Sequence, residues 1–193
     1  VSDRAHVDAD LVERYLGGDK AAFDALMRAH EERVFAICLR MLRDREAALD
    51  ATQETFITVF RKADRFAGRS AFSTWLYRVT VNTCHDTLRR LQRARADSLS
   101  DTVEPADLRA ADALESADLR PTIESALSRL PEEFRSAVVL CDAQALPLQA
   151  AADILEVPIG TVKSRLFRGR RLLADILGNL RPALDPPINE HNA

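Results

Sequence analysis

Apolar residues in this chain return every third or fourth position over most of its length, the period of helices with one buried face. Positions 23, 26, 27, 30, 34, 37, 38 and 41 form one such stripe, and Asp19 stands ahead of it as a capping acceptor. His30 lies on the stripe and reads as a satisfied core or boundary histidine. Before it, Asp8 or Asp10 can cap a short helix that stops at Gly17-Gly18. After a turn at Arg43-Asp44, a third helix is predicted from Glu46 to Lys62, with Phe56, Val59 and Phe60 inside and Asp50, Gln53 and Glu54 as an acidic, polar patch. Gly68 punctuates a loop. Ser73 or Thr74 can cap the next helix, which carries Trp75, Leu76, Val79, Thr83 and Leu88 and ends in arginines. From Ala96 the large apolar residues thin out, Pro105 interrupts, and Asp97, Asp101, Glu104, Asp107, Asp112, Glu115 and Asp118 dominate, as in a linker. Pro121 and Pro131 each suit a helical first turn, the second helix reaching Cys141.

The stretch Leu148 to Leu173, LQAAADILEVPIGTVKSRLFRGRRLL, reads as two helices joined by a short turn. Leu148, Ala151, Ala152 and Leu155 form the first stripe. Glu156-Val157-Pro158 ends that helix, because a residue before proline is pushed out of the helical region. Val162, Leu166, Gly169 and Leu173 line one side of the second helix; Lys163, Ser164, Phe167, Arg168 and Arg171 line the other. One face held by a domain and one cationic face offered outward is the build of a helix-turn-helix that enters a major groove. The pattern also fits a basic amphipathic helix that is merely solvated.

The expected architecture is therefore all-α. Two helical domains, residues 1–95 and 120–180, are joined loosely by a flexible acidic linker at 96–119, and a proline-rich tail at 181–193 is expected to be disordered at its end. Hydrophobic residues make up 47%, enough for packed cores, and aromatics only 6%. There is no run of about 18 uncharged apolar residues, so no membrane insertion is expected, and the polar start VSDRAHVDAD does not resemble a signal peptide, which points to the cytoplasm. The formal net charge of -3 hides its distribution. Basic residues concentrate in 78–95 and 163–171, with the acidic stretch between. Cys38, Cys84 and Cys141 are scattered and read as structural thiols, and no HExxH, phosphate loop or nucleophile elbow occurs. No metal, cofactor, small-molecule substrate or enzymatic activity is expected.

A second constellation lies at 65–82. Phe66, Phe72, Trp75 and Tyr77 stand beside Arg65, Arg69 and Arg78, and unpaired bases need rings to stack on and cations for their phosphates. Ser70, Thr74 and Asn82 could read the edge of a flipped base. Composition alone favours the other reading, an aromatic stripe turned into a core.

At these residues the chain resembles the extracytoplasmic-function (group 4) sigma factors of bacterial RNA polymerase. DATQETFITVFRKADRF at 50–66 is similar to region 2.2, FSTWLYRVTVNTCHDTLRR at 72–90 to regions 2.3 and 2.4, LPEEFRSAVVL at 130–140 to region 4.1, and VPIGTVKSRLFRGRRLL at 157–173 to region 4.2. The four occur in the family's order. The resemblance implies a protein that binds core RNA polymerase, recognises upstream (−35) and downstream (−10) promoter DNA elements and promotes opening, under control of an anti-sigma factor. Asp50, Gln53 and Glu54 would dock on the polymerase. Gly68, Arg69, Ser70, Ala71 and Phe72 would cradle a flipped base, with Asn82 contacting the downstream element and Trp75, Tyr77 and Arg78 supporting melting. Lys163, Ser164, Phe167, Arg168 and Arg170 match upstream-element contacts, and Arg171 joins them by its helical face. The acidic linker would thread toward the polymerase's active site and RNA exit channel.

Three departures from the family pattern stand out. Lys163 replaces a more usual arginine and lacks the fork that reads guanine with two bonds. Gly169 sits inside a helix at about 1 kcal/mol relative to alanine. The first helix of the motif opens on Leu146-Pro147-Leu148-Gln149 rather than on a Ser/Thr cap followed by acids. Two other readings remain: a helix-turn-helix regulator that binds duplex DNA without polymerase, and a helical module whose basic face meets an acidic protein.

Overall fold

The computed structural model describes residues 2–63, 66, 70–98 and 120–180. Helix α1 (Ser2–Leu16) leads through the two glycines into α2 (Lys20–Leu42), which Asp19 caps by accepting the amides of Ala21 and Ala22 at 3.0 and 3.3 Å. Arg43, in the left-handed region at φ 65°, ends α2, and Asp44 caps α3 (Arg45–Lys62) through the Ala47 amide at 2.8 Å. These boundaries follow the sequence reading to within a residue, because both caps are short acceptors at helix entries.

Three local expectations are corrected. Asp8 caps nothing. It lies inside α1, buried, and its carboxylate meets His30 Nε2 at 3.0 Å while His30 Nδ1 meets the Tyr77 hydroxyl at 3.2 Å. His30 is thus the satisfied core histidine expected of it. Phe60 is 55% exposed instead of buried. The inner stripe of α3 is Ala48, Ala51, Thr52, Thr55 and Val59, and the two threonines can be buried because they donate to the Ala48 and Ala51 carbonyls at 2.7 Å. Neither Ser73 nor Thr74 caps α4 (Phe72–Ser98), since both lie within it and the Thr74 and Trp75 amides turn back to the Ala71 carbonyl.

Helix α4 runs three residues into the stretch expected to be linker, and the rest of that linker, like the tail 181–193, lies outside the described residues. The chain then forms α5 (Arg120–Ser128) and α6 (Glu132–Val138). The latter widens into a π-helical turn at Val139–Ala143, followed by α7 (Leu148–Leu155) and α8 (Ile159–Leu180). No strand occurs among the described residues, as the sequence predicts.

Leu26, Val34, Ile37, Met41, Leu76 and Val81 build the core of α1–α4, and Leu127, Leu130, Ala137, Val138 and Leu166 that of α5–α8. The two bundles do not stand apart. The first core continues without a break into Val139, Leu140, Ala151, Ala152, Ile154 and Val162. The reason lies in α7, whose eight residues include only Gln149 and Asp153 as polar side chains. One apolar side seats α8, and Ala150 and Ile154 are left for a second partner, α4. Arg135 fastens the same seam. Its guanidinium donates to the carbonyls of Leu127, Ser128 and Leu130 at the end of α5, and at 2.7 Å to Met41 at the end of α2. A buried cation with this many carbonyl acceptors satisfies helix C-termini that would otherwise lack partners.

Candidate nucleic-acid interface

Glu156 adopts the left-handed conformation at φ 54° and stops α7, and the Pro158 carbonyl receives the amides of Thr161 and Val162 to start α8. Val162 and Leu166 are buried and Leu173 half-buried, as their spacing predicts. Gly169 belongs to the same inner side. A methyl group there would come within 2.7 Å of Val138 Cγ2 and 3.3 Å of the Phe134 carbonyl oxygen, so the glycine lets α8 press against α6. Its helical cost is set against this close approach, and it takes no part in the outward face.

That outward face carries Lys163, Ser164, Phe167, Arg168 and Arg171, all exposed, with Phe167 70% open to solvent. An aromatic ring so exposed on a well-seated helix has no packing reason to be there. Ser164 donates to the Thr161 carbonyl at 2.9 Å, leaving its oxygen able to accept. Arg170 is exposed yet engaged: its guanidinium grips both oxygens of Asp142 at 3.0 and 2.6 Å, which raises its already high pKa. Arg165 is half-buried and turns to Glu133 at 3.5 Å.

In the other bundle, Phe66, Phe72 and Trp75 form a cluster with ring centres 5.3 to 5.8 Å apart. Phe72 is 5% exposed and Tyr77 2%, so both lie beneath the surface, with Tyr77 pinned to His30. Trp75 and Ser70 are half-buried, and Ala71 and Asn82 are exposed. Gly68 and Arg69 lie outside the described residues. Arg78 is half-buried and reaches into the seam. Its Nε and Nη2 donate to the Asp153 carbonyl at 3.1 and 2.7 Å, and its Nη1 lies 3.1 Å from Glu156 Oε1. The sequence places Arg78 among DNA contacts; the structure gives it a partner inside the chain.

On α3, Asp50, Gln53 and Glu54 are exposed together, Glu54 pairing loosely with Arg90 at 2.9 Å. The patch is edged by Leu49, Ile57 and Phe60, each 44–55% exposed. The 49-53-57 row at i, i+4 spacing marks these apolar neighbours, which the reading of Phe60 as buried obscured. Cys38 and Cys84 are buried with their sulfurs 3.7 Å apart, as structural thiols should be, and the hydrogen bond with Cys38, followed by burial, pushes the Cys84 thiol pKa up. Among the described residues no group of His, Cys, Asp or Glu is arranged to hold a metal, and no helix is long and apolar enough to cross a membrane.

Two family models match the chain. Sigma-70 region 2 matches residues 26–94, and Sigma-70 region 4 matches residues 121–173. The chain is 36% identical to the RNA polymerase sigma-H factor of Pseudomonas aeruginosa, covering 86% of this chain and 91% of that protein. It is likewise 36% identical to the ECF RNA polymerase sigma factor SigM of Mycobacterium tuberculosis, covering 92% and 88%. Among solved structures it is similar to the sigma factor RpoE in complex with the anti-sigma factor NepR from Bartonella quintana, at a TM-score of 0.67 and 27% identity over 81% of this chain and 96% of that one. CnrH in complex with the cytosolic domain of CnrY shares the fold at a TM-score of 0.68 and 22% identity, over 90% and 98%. With an outward basic helix on one bundle, an aromatic and polar helix on the other, and both sigma-70 regions in order, the chain belongs to the extracytoplasmic-function sigma factors, which bind core RNA polymerase and direct it to promoters.

Proposed function

We propose that the two bundles read the two promoter elements through the surfaces described above. The observation that carries this is the exposed face of α8. Lys163, Arg168 and Arg171 flank a ring that is 70% exposed, opposite a seat fixed by Val162, Leu166 and Gly169. On this reading α8 enters the major groove of the upstream element. Arg168 reads a base edge with its fork, Arg171 and Lys163 meet phosphates or base edges, and Phe167 packs on the groove wall. Ser164 adds a hydroxyl. Arg170 serves by orienting the helix through Asp142 and reaches DNA only if that pair opens.

The downstream element is read by residues 1–95. Asn82 offers an amide to a base edge, Ser70 and Ala71 with Gly68 and Arg69 form the loop that receives a flipped base, and Trp75 stands at its rim. Phe72 and Tyr77 support that site from beneath, held by Phe66 and His30. Arg78 meets the melted strand once freed from α7. Asp50, Gln53 and Glu54, with Leu49, Ile57 and Phe60 around them, dock on the polymerase by mixed polar and apolar contact. The acidic stretch at 96–119 lies along the enzyme's RNA path. Synthesis belongs to the polymerase, so the chain itself catalyses nothing and works in the cytoplasm. An anti-sigma factor holds it in check, as the complex of the Bartonella relative with NepR suggests.

Run-off transcription with purified core polymerase on genomic promoter fragments tests the whole. A promoter-specific product dependent on this chain is expected. Tight binding to duplex promoters without polymerase, and no product with it, would instead favour a stand-alone helix-turn-helix regulator.

A further inference from the structure

The basic residues of α8 divide by whether the chain itself supplies them with an acid. Among the described residues no carboxylate pairs with Lys163, Arg168 or Arg171. Arg165 and Arg170 are paired, in different ways. Arg165 is half-buried and meets Glu133 of α6 by a single contact. Arg170 has a side chain 60% open to solvent, yet its fork is filled: Nε and Nη2 donate to the two oxygens of Asp142 at 3.0 and 2.6 Å. Two donors on two anionic oxygens is also how an arginine takes a phosphate. The backbone brings these partners together in two ways. Gly169 lets α8 press against α6 immediately before Arg170. The end of α6 widens into the π-helical turn Val139–Ala143, which carries Asp142 and redirects its side chain relative to an α-helix. The Asp142 side chain is 34% exposed, so the pair lies at the surface and not in a core.

Arg170 comes three residues after Phe167 and seven after Lys163. Seven residues return a helix to within about 20° of its starting direction, so Arg170 sits on the Lys163 edge of the outward face, about 10 Å further along. A free guanidinium there would meet the DNA backbone beside the bases that Lys163 and Arg168 approach. We propose that Asp142 is a specificity-determining residue of the upstream reader: it stands in for a phosphate, and so withholds Arg170 from duplex of any sequence. This rests on the reading of α8 as the upstream reader. The carboxylate and a phosphate compete for the same two donors, and one excludes the other. A phosphate contact carries no sequence information. It would tighten wrong sites along with right ones, and wrong sites far outnumber right ones in a genome. An exposed ion pair adds little to the stability of the fold, so the consequence of this one falls on binding.

The test uses the full chain and two labelled duplexes, one carrying an upstream element from a promoter active in run-off and one with that element scrambled. Fluorescence anisotropy over a salt series gives affinity and its salt dependence. Asp142→Ala and Asp142→Asn are each expected to tighten the scrambled duplex about threefold, the scale of an exposed ion pair. The slope of log affinity against log salt should steepen by about 0.9, one added phosphate contact. The upstream duplex should gain no more than the scrambled one. Asp142→Glu keeps a carboxylate for the fork and should bind as the unsubstituted chain does. In an Arg170→Ala background the same Asp142 substitutions remove only a charge, so the gain in affinity and slope should be smaller. An equal gain with and without Arg170 overturns the proposal, since general charge then accounts for it. Weaker binding in Asp142→Asn also overturns it, because Asp142 would then present Arg170 to DNA. No change on the scrambled duplex does the same. Urea unfolding checks each variant, and if Asp142→Ala is unfolded, Asp142→Asn decides alone. An unsubstituted chain that binds both duplexes equally is a separate failure, that of α8 as the upstream reader.

Discussion

Helices α4 and α8 both carry bases and aromatics on one side, yet they meet the rest of the molecule in opposite ways. Helix α8 buries Val162, Leu166 and Gly169 and turns its cations and Phe167 to solvent. Helix α4 buries Tyr77 and Phe72 and hands Arg78 to α7. A charge pattern shows which face of a helix can bind nucleic acid. Whether that face is free depends on contacts made 75 residues away in sequence, which the pattern does not contain.

The contrast can be broken most severely at Arg135. Replacing it with alanine strips donors from four carbonyls, at the ends of α5 and α2. With charged hydrogen bonds at about 1.5–3 kcal/mol each and strongly non-additive, a loss of roughly 3 kcal/mol is expected in urea unfolding. Next is Gly169→Leu, which forces a side chain against Val138 and the Phe134 carbonyl. Overpacking of this kind typically costs about 1–3 kcal/mol, and since the displaced helix is the upstream reader, stability and upstream binding should fall together.

How much of this was legible in the sequence differs along the same divide. The seat and face of α8 were readable residue by residue, because a long amphipathic helix over a single core obeys one period. The inner stripe of α3 was not, since Thr52 and Thr55 look polar until their hydroxyls are seen to bond one turn back. The buried position of Asp8 was hidden for a related reason: a carboxylate near a chain start reads as a cap, and its partner His30 is 22 residues on. Loose tethering was inferred from the acidic composition of 96–119. What overrides it is the second apolar side of α7, visible in Ala150 and Ile154 but easily absorbed into a single stripe.

Smaller perturbations sharpen the comparison. Arg168→Ala should weaken upstream-element binding by about 1–3 kcal/mol and lower its salt dependence, whereas Arg170→Ala should do much less to recognition, because Arg170 is already paired with Asp142. Footprinting over a salt series separates the two. Asn82→Ala should leave upstream binding alone and reduce open-complex formation, read by permanganate reactivity of unpaired thymines; equal loss on every sequence would remove its base-reading role.

The gentlest probe is pH. Burial lowers the His85 pKa, against Glu132 and Asp86 that raise it and alongside Arg89 and Arg165 that lower it further. A histidine pKa below its ordinary value of about 6.5 means the unfolded chain takes up that proton first. The contribution is full above about pH 6.5 and is lost as pH falls from there toward the lowered value. The melting temperature should therefore drop on acidification, and His85→Gln should flatten that part of the profile.

Gly169 has a consequence for how such a protein can change. Gly169 lets α8 sit close on its domain and leaves no free room for a larger side chain, and it faces away from Lys163, Ser164, Phe167, Arg168 and Arg171. Address and anchorage are thereby written in separate letters of one helix. The outward five can be exchanged as a set, by duplication and drift or by design, to give a chain that answers to a different promoter while docking as before.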